Sequence, residues 1–473
     1  MKRSDITLHA RHRDKLQALL AHPQGHEGAA YMFLGKSEIT QDPWDLDPRT
    51  RYTSYEVIAI PREDRIDASD KHVTWNTNSF AQLCRRAAEE DLVPAIVHSH
   101  PGGFDGFSAQ DDCNERDLFV MARNRNGAGT RLVSIVQVGD SLYRARVWED
   151  DVAPLPCHRV TVIGTRIEIH STDVPTPSEA QSRQALAFGP EVNSLLKQLS
   201  VAVVGCGGTG SPVIQLLARL GVGRIVVIDD DVVEHSNLNR LHGATRNDAD
   251  NAVLKVDVMA REVARMGLDV EIRSMNGWVD APHMRDALKS CDVIFGCTDD
   301  HAGRLYLNRV AHFYLIPVID VGLVLMPRSD GEPGLLEMAA RVSVLFPTSA
   351  CHGCRGTVNR VRAREEDLQR SDPEEYERQK TEAYVRGAGN PAPAVVTFTS
   401  EAATMAVNEL LAGLVDFRGT GGWTWQRYRK LDKGFERSQA AQPKPGCPVC
   451  GSEEYWGLGD VDRKPAVKAV CSD

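Results

Sequence analysis

The 473-residue chain predicts an α/β protein made of two unlike domains, and three observations lead there. Strand-like apolar runs around one helical pattern fill residues 1–150, giving a mixed α/β domain. A glycine-rich turn at Gly205–Gly210 follows an apolar strand and opens a helix, as in a Rossmann-like parallel sheet. Paired histidines stand in the first half and two C-x-x-C knuckles in the second, so each half carries its own metal-binding pattern. Hydrophobic residues at 42% and charged ones at 25% suffice for sizeable cores and exclude disorder or collagen-like repetition.

In chain order, Ala29–Leu34, Tyr55–Ile60, Ala95–His100 and Leu132–Val138 read as strands and Asn78–Leu92 as a helix. Residues 151–177 are rich in Pro and read as a linker or connecting β structure, with a short hairpin of Arg159–Ile163 and Arg166–His170 about Gly164-Thr165. The second domain is placed at residues 178–456. There the strand Val201–Val204, the helix Ser211–Leu220 and the strand Arg224–Ile228 form a βαβ opening, extended by Val293–Gly296 and Pro317–Val321. Residues 457–473 read as a tail, loose after Asp460.

Fifty-five Lys and Arg against sixty-five Asp and Glu give a net charge of −10, which argues against nucleic acid as the main partner. The start, Met1–Gln24, meets Arg, Asp and His before an export signal could form, and the apolar stretch Asn308–Pro327 is broken by Arg309, His312, Pro317 and Asp320. No membrane association is expected. Eleven cysteines, four of them in the knuckles, then suggest metal before disulfide and a reducing cytoplasm.

His98-Ser99-His100-Pro101 ends an apolar run, and residues two apart on a strand face the same way. With Asp111 they offer two imidazoles and one carboxylate, a three-ligand zinc set whose fourth position is left for water. The plainer reading makes Ser108 a helix N-cap and Asp111 a first-turn acid, which is compatible with the metal role. Hydrolysis also needs a proton acceptor, and Glu27, Glu38, Glu56 and Glu63 all lie upstream. The H-x-H-P, Ser and Asp spacing resembles the JAB/MPN (JAMM) metallopeptidase family, which has a cytidine-deaminase-like fold. The resemblance implies zinc on His98, His100 and Asp111, Glu27 as general base, and Ser108 stabilising the tetrahedral oxyanion. It also implies cleavage of peptide or isopeptide bonds after the C-terminus of a ubiquitin-like protein.

In the second domain Gly205, Gly207 and Gly210 satisfy a dinucleotide fingerprint, and Asp229 ends the next strand where a ribose acceptor would stand. NAD and ATP are both served by that loop. The groups that follow, Asn237, Arg240, Lys255 and Asp299, supply cations and a carboxylate suited to Mg²⁺ and a triphosphate, so ATP fits better. This block resembles the ThiF/MoeB family of ubiquitin-activating-type adenylyltransferases. By that resemblance Gly207 and Gly208 are phosphate-loop glycines, Asp229 the ribose ligand, Asn237, Arg240 and Lys255 phosphate contacts, and Asp299 the magnesium-linked acid. Arg183 matches an arginine that the family's homodimers donate to the partner's ATP.

Cys351-His352-Gly353-Cys354 and Cys447-Pro448-Val449-Cys450 can close a structural zinc site of four thiolates, with His352 a bystander. The family's usual thioester cysteine between the knuckles is missing, since Arg355–Gly446 holds none. That favours passing an acyl adenylate to an external sulfur donor or conjugating enzyme; Cys206, Cys291, Cys297 and Cys471 are the remaining thiols considered. The expected whole is a cytoplasmic, dimeric enzyme that trims and activates a carrier protein ending in Gly. An NAD-dependent oxidoreductase and a non-catalytic scaffold for the carrier are the alternatives.

Overall fold

The computed structural model describes residues 3–22, 24–69, 72–176, 178–328, 334–381, 393–439 and 441–461. They fall into two compact units, the first drawn from residues 1–173, 313–315 and 454–473 and the second from 174–312 and 316–453.

The first unit is built on strands β1 (Arg3–His9), β2 (Ala29–Ile39), β3 (Arg49–Ala59), β4 (Arg65–Ala68), β5 (Val73–Trp75), β6 (Val93–His100), β7 (Leu132–Val138), β8 (Leu142–Trp148), β9 (Leu155–Pro156), β10 (Arg159–Ile163) and β11 (Ile167–Ser171). Nine of them make one mixed sheet in the order β11-β10-β1-β3-β2-β6-β7-β8-β9, while β4 and β5 pair apart. Alternation along β2 feeds two cores. Ala30, Met32 and Leu34 join Leu16 and Leu20 of the helix Ala10–Leu20 on one face, whereas Ala29, Tyr31 and Phe33 join Phe80, Leu83 and Phe119 of the helices Asn78–Glu90 and Ala109–Asn126 on the other. Central β6 is buried throughout, antiparallel to β2 and parallel to β7, so both histidines emerge at the C-terminal end of a strand paired on both sides.

Residues 151–177 are not a linker along their length. They add β9, β10 and β11 to the sheet, because Val160 and Val162 bury their side chains in the core and β10 pairs in parallel with β1. The expected hairpin is there, with Arg159–Ile163 paired antiparallel to Ile167–Ser171. The opening segment, Met1–Gln24 in the sequence reading, also supplies β1 and a helix. The segment after Glu454 likewise departs from a free tail: Leu458 and Val461 lie in the same cluster as Phe33, and Thr53 Oγ1 donates to Gly457 O at 2.7 Å. Cys471 lies outside the described residues.

The second unit holds β12 (Ser200–Val204), β13 (Arg224–Asp229), β14 (Glu271–Asn276), β15 (Val293–Gly296), β16 (Val318–Pro327), β17 (Leu335–Leu345), β18 (Gln426–Lys430) and β19 (Phe435–Ser438). The order is β14-β13-β12-β15-β16-β17-β18-β19, parallel from β14 to β16 and antiparallel beyond. The chain moves outward from β12 to β13 and β14 on one side and to β15 and β16 on the other, which makes a crevice at the carboxyl ends of β12 and β15. β16 runs beyond the expected Val321 because it is zipped to β17 in a long antiparallel ladder. No helix among the described residues is long and apolar enough to cross a membrane.

Candidate functional sites

The first site is assembled by β6, the turn before β2, and one helix N-terminus. His98 Nε2 stands 3.1 Å from His100 Nε2 and 3.4 Å from Asp111 Oδ1, and His100 Nε2 is 3.6 Å from Asp111 Oδ2. Donors about 2.0–2.2 Å from a tetrahedral zinc lie roughly 3.3–3.6 Å apart, so the three fit a common ion. His100 Nδ1 lies 3.1 Å from Phe104 O, which fixes the ring and leaves Nε2 to the site.

Of the four acids considered as base, Glu27 alone is brought here, its Oε1 3.9 Å from His100 Nε2. Glu38 is taken by Arg131 and Thr50, Glu56 by Arg86, and Glu63 sits in the turn Arg62–Asp64. Glu27 arrives because Ala29 pairs with His98 and because Ser99, facing away from the two imidazoles, accepts from Gly28 N–H at 2.9 Å. A side chain at residue 28 would run into the Leu20 backbone, which is why glycine follows the acid. Burial raises the Glu27 pKa despite the neighbouring imidazoles. Burial works the same way on Asp111, yet hydrogen bonds from His100 and His98 hold that carboxyl well below the usual range.

Ser108 caps the helix Ala109–Asn126: its Oγ accepts from Asp111 N–H at 3.2 Å, and Ser108 N–H donates to Asp111 Oδ2 at 2.7 Å. One turn on, buried Glu115 accepts from Ser134 Oγ at 2.5 Å, Arg146 Nε at 2.7 Å and Trp148 Nε1 at 2.7 Å. This anchoring of the helix that carries Asp111 escaped the sequence reading; a lone Glu four residues after a ligand, on the same helix face, was its only signal.

In the second unit a cavity of about 720 Å³ opens over the crevice, lined by Gly205, Gly207, Gly208, Asp229, Asn237, Arg240, Lys255 and Asp299 among others. Gly205 has φ +92°, and a Cβ at Gly210 would meet Gly205 O, so these two serve the turn and its packing; Gly210 does not line the cavity. At Gly207 a Cβ would meet nothing, which leaves the open backbone a phosphate needs. Asp229 Oδ2 accepts from Cys206 N–H at 2.6 Å, and burial raises its pKa. Lys255 Nζ donates to Asp231 Oδ2 at 2.6 Å; burial opposes its charge, but Asp229 and Asp231 hold its pKa above the ordinary lysine value. Arg240 lies over Gly208 and donates to Ser236 O at 2.7 Å. Asn237 Oδ1 accepts from Glu234 N–H at 3.1 Å, closing the turn that presents Arg240.

Asp299 is exposed, whereas its neighbour Asp300 accepts from Thr298 Oγ1 and Gly303 N–H. Arg183 sits exposed on the helix Ser182–Phe188 and is not brought to the cavity. Trp278 and Arg370, both cavity residues, were missed; Trp278, following a third strand on the ligand side of the sheet, was the one readable signal.

The four cysteine sulfurs lie within 4.8 Å of one another, with Cys351–Cys447 at 3.7 Å and Cys354–Cys450 at 3.5 Å. These separations are too long for disulfides and close to the roughly 3.8 Å edge of a tetrahedron with zinc–sulfur bonds of about 2.3 Å. Backbone N–H groups of Cys351 and Lys444 donate to Cys450 and Cys354 Sγ, both at 3.3 Å. His352 is more than a bystander. It is buried, its N–H donates to Asn308 Oδ1 at 3.1 Å, and its Nε2 lies 3.6 Å from Asp320, which pairs with Arg304 at 3.1 Å and Arg341 at 3.6 Å.

A glycine turn, a carboxylate at the end of the next strand and converging cations on a largely parallel sheet define a Rossmann-like α/β fold, here sharing its chain with a two-histidine, one-carboxylate unit. The chain belongs to the ThiF family, whose family model matches residues 181–449, and residues 9–149 match prokaryotic homologs of the JAB domain. The SAMP-activating enzyme E1 of Haloferax volcanii is 32% identical over 166 residues, 35% of this chain and 56% of that protein. The sulfur carrier protein ThiS adenylyltransferase of Escherichia coli is 28% identical over 276 residues, 57% of this chain and 94% of that one. The chain thus spans about half the length of the first of these relatives. A crystal structure of E. coli MccB with ATP aligns at 19% identity and TM-score 0.43, covering 59% of this chain and 76% of that one.

Proposed function

We propose that the second unit adenylates the C-terminal glycine of a small ubiquitin-like or sulfur-carrier protein with Mg-ATP, and that the first unit hydrolyses the peptide or isopeptide bond beyond that glycine. The observation that carries this reading is the convergence of the glycine turn, Asp229, Asn237, Arg240, Lys255 and Asp299 on one cavity, in a chain of the ThiF family. That membership favours adenylation over hydride transfer. Relatives named for activating SAMP and ThiS supply the substrate class.

In adenylation a glycine carboxylate oxygen bonds to the α-phosphorus as the bond to the β-phosphate oxygen breaks and pyrophosphate leaves. The attacking group is already anionic, so the chain's task is positioning and charge neutralisation. Asp229 holds the ribose hydroxyls, Gly207 and Gly208 admit the phosphates, and Arg240 and Lys255 offset their charge, with Asn237 beside them. Asp299, unoccupied by the helix-capping bonds that engage Asp300, is the acid for Mg²⁺. Cys206 and Cys297 are buried with thiols pushed up by that burial, which fits transfer to an external sulfur donor or conjugating enzyme. A homodimer would let Arg183 reach the partner's nucleotide.

In the first unit, zinc held by His98, His100 and Asp111 would polarise the scissile carbonyl and activate water. Glu27 would take a proton from water as its oxygen bonds to the carbonyl carbon and return it to the amine as the C–N bond breaks, a role that its burial, which raises its pKa, suits. Ser108 donates to the developing oxyanion. Fusing both units raises the local concentration of one unit's product for the other.

The test is ATP–pyrophosphate exchange by the full chain with and without a small protein ending in Gly-Gly, beside cleavage of that protein extended past its glycine. Exchange that requires the carrier supports the reading. NADH binding with no exchange overturns the adenylation half, and an extended carrier left intact overturns the hydrolytic half.

A further inference from the structure

Between the two knuckles, where no cysteine is available, the helix Arg360–Ser371 brings a cation to the nucleotide cavity instead. The Arg370 guanidinium carbon stands 3.3 Å from the centroid of the Trp278 ring, a contact that fixes the guanidinium without using its N–H groups. Its charged partners are distant for hydrogen bonding, Asp300 at 3.7 Å and Asp367 at 3.8 Å. Trp278 follows β14 and Asp300 follows β15, so Arg370 links the carboxyl ends of two separate strands and lines the same cavity as the glycine turn.

The other cavity cations have closer partners: Lys255 donates to Asp231, Arg240 to Ser236 O, and Arg304 pairs with Asp320 at 3.1 Å. Arg370 has five N–H donors and, among the described residues, no hydrogen-bond acceptor for them, and a planar fork of that kind matches phosphate oxygens. The placement of its helix does not depend on the charge of Arg370. Glu366, one turn earlier in the same helix, accepts from His301 N–H at 2.7 Å and Ala302 N–H at 2.8 Å, and so docks the helix on the start of the one that follows Asp300.

We propose that Arg370 is a phosphate-binding residue of the nucleotide site, held flat on Trp278 and supplied by the chain's own inter-knuckle helix. This rests on the adenylation reading and adds to it a cation that the family motifs do not mark. Bound ATP supplies the oxygen acceptors that the guanidinium lacks, whereas a nucleoside without phosphate supplies none.

The experiment is calorimetric titration of the full chain, and of Arg370→Ala and Arg370→Lys, with ATP and with adenosine. Arg370→Ala should weaken ATP about ten- to a hundredfold, the range for lost hydrogen bonds to a charged group, and leave adenosine within about twofold. Arg370→Lys should recover part of the loss, and in pyrophosphate exchange KM for ATP should rise more than kcat falls. Equal ATP affinity in parent and Arg370→Ala overturns the proposal, as does an equal loss for ATP and adenosine, which would make the side chain a wall for the base. An unchanged melting temperature in Arg370→Ala excludes loss of the fold as the cause. A parent chain that binds adenosine but not ATP overturns this assignment, and one that binds neither overturns the adenylation reading beneath it.

Discussion

The two donor clusters of this chain differ in what holds them. His98, His100 and Asp111 are set by a buried central strand, a capped helix and the Glu115 network, so the protein builds that geometry by itself. The four cysteines come from two short knuckles far apart in sequence, and the apolar cluster around them consists of the cysteines themselves and Val449. On the proposed reading, a metal in the first place would be a reagent in a finished frame, and in the second it would be the fastening. Three donors with a free position and four donors with none follow the same division.

The largest effect that could break this contrast is at the fastening. Cys351→Ser should release one zinc per chain, measured by metal analysis, and abolish the cooperative melting of the second unit, since structural zinc binding is folding free energy of about 10 kcal/mol or more. His100→Ala should also lose a zinc while leaving melting within a few degrees. Equal destabilisation by the two substitutions would erase the distinction.

Next is Glu115→Ala, which leaves buried Arg146 with Asp112 alone and takes the acceptor from Ser134 and Trp148. Denaturant unfolding should show a loss of about 3–5 kcal/mol, the usual cost of breaking a buried ion pair, together with weaker zinc binding at Asp111. Glu27→Gln should slow carrier cleavage about 10²–10⁴-fold with zinc content and melting unchanged, since only a proton acceptor is removed. The smallest effect is Ser108→Ala. Loss of the N-cap should cost about 1 kcal/mol of stability, and a rate loss beyond that in proportion would reveal its second role at the oxyanion.

How much of this was readable follows from where the contacts come from. His98 and His100, and each cysteine pair, announce themselves because their donors are neighbours on one element. Glu27 could be selected from four acids only by family resemblance, because its place beside His100 is created by the pairing of β2 with β6. Trp278 and Arg370 meet only after the inter-knuckle helix has docked, and no local spacing encodes that contact. The segment 151–177 misled for a compositional reason: its prolines suggest a connector, while Val160 and Val162 alternate into a core that only the folded sheet supplies.

One consequence concerns the order of synthesis. Phe313, Leu458 and Val461 complete the core around Phe33 and Phe119, and a side chain at Gly35 would strike the backbone at Gly457 and Leu458, so β2 is shaped to receive a segment translated far later. On the ribosome the unit made first is therefore finished last. At about 5–20 residues per second it waits on the order of tens of seconds with one face of its sheet only partly covered, a window in which a chaperone or an early-stopped chain would matter most.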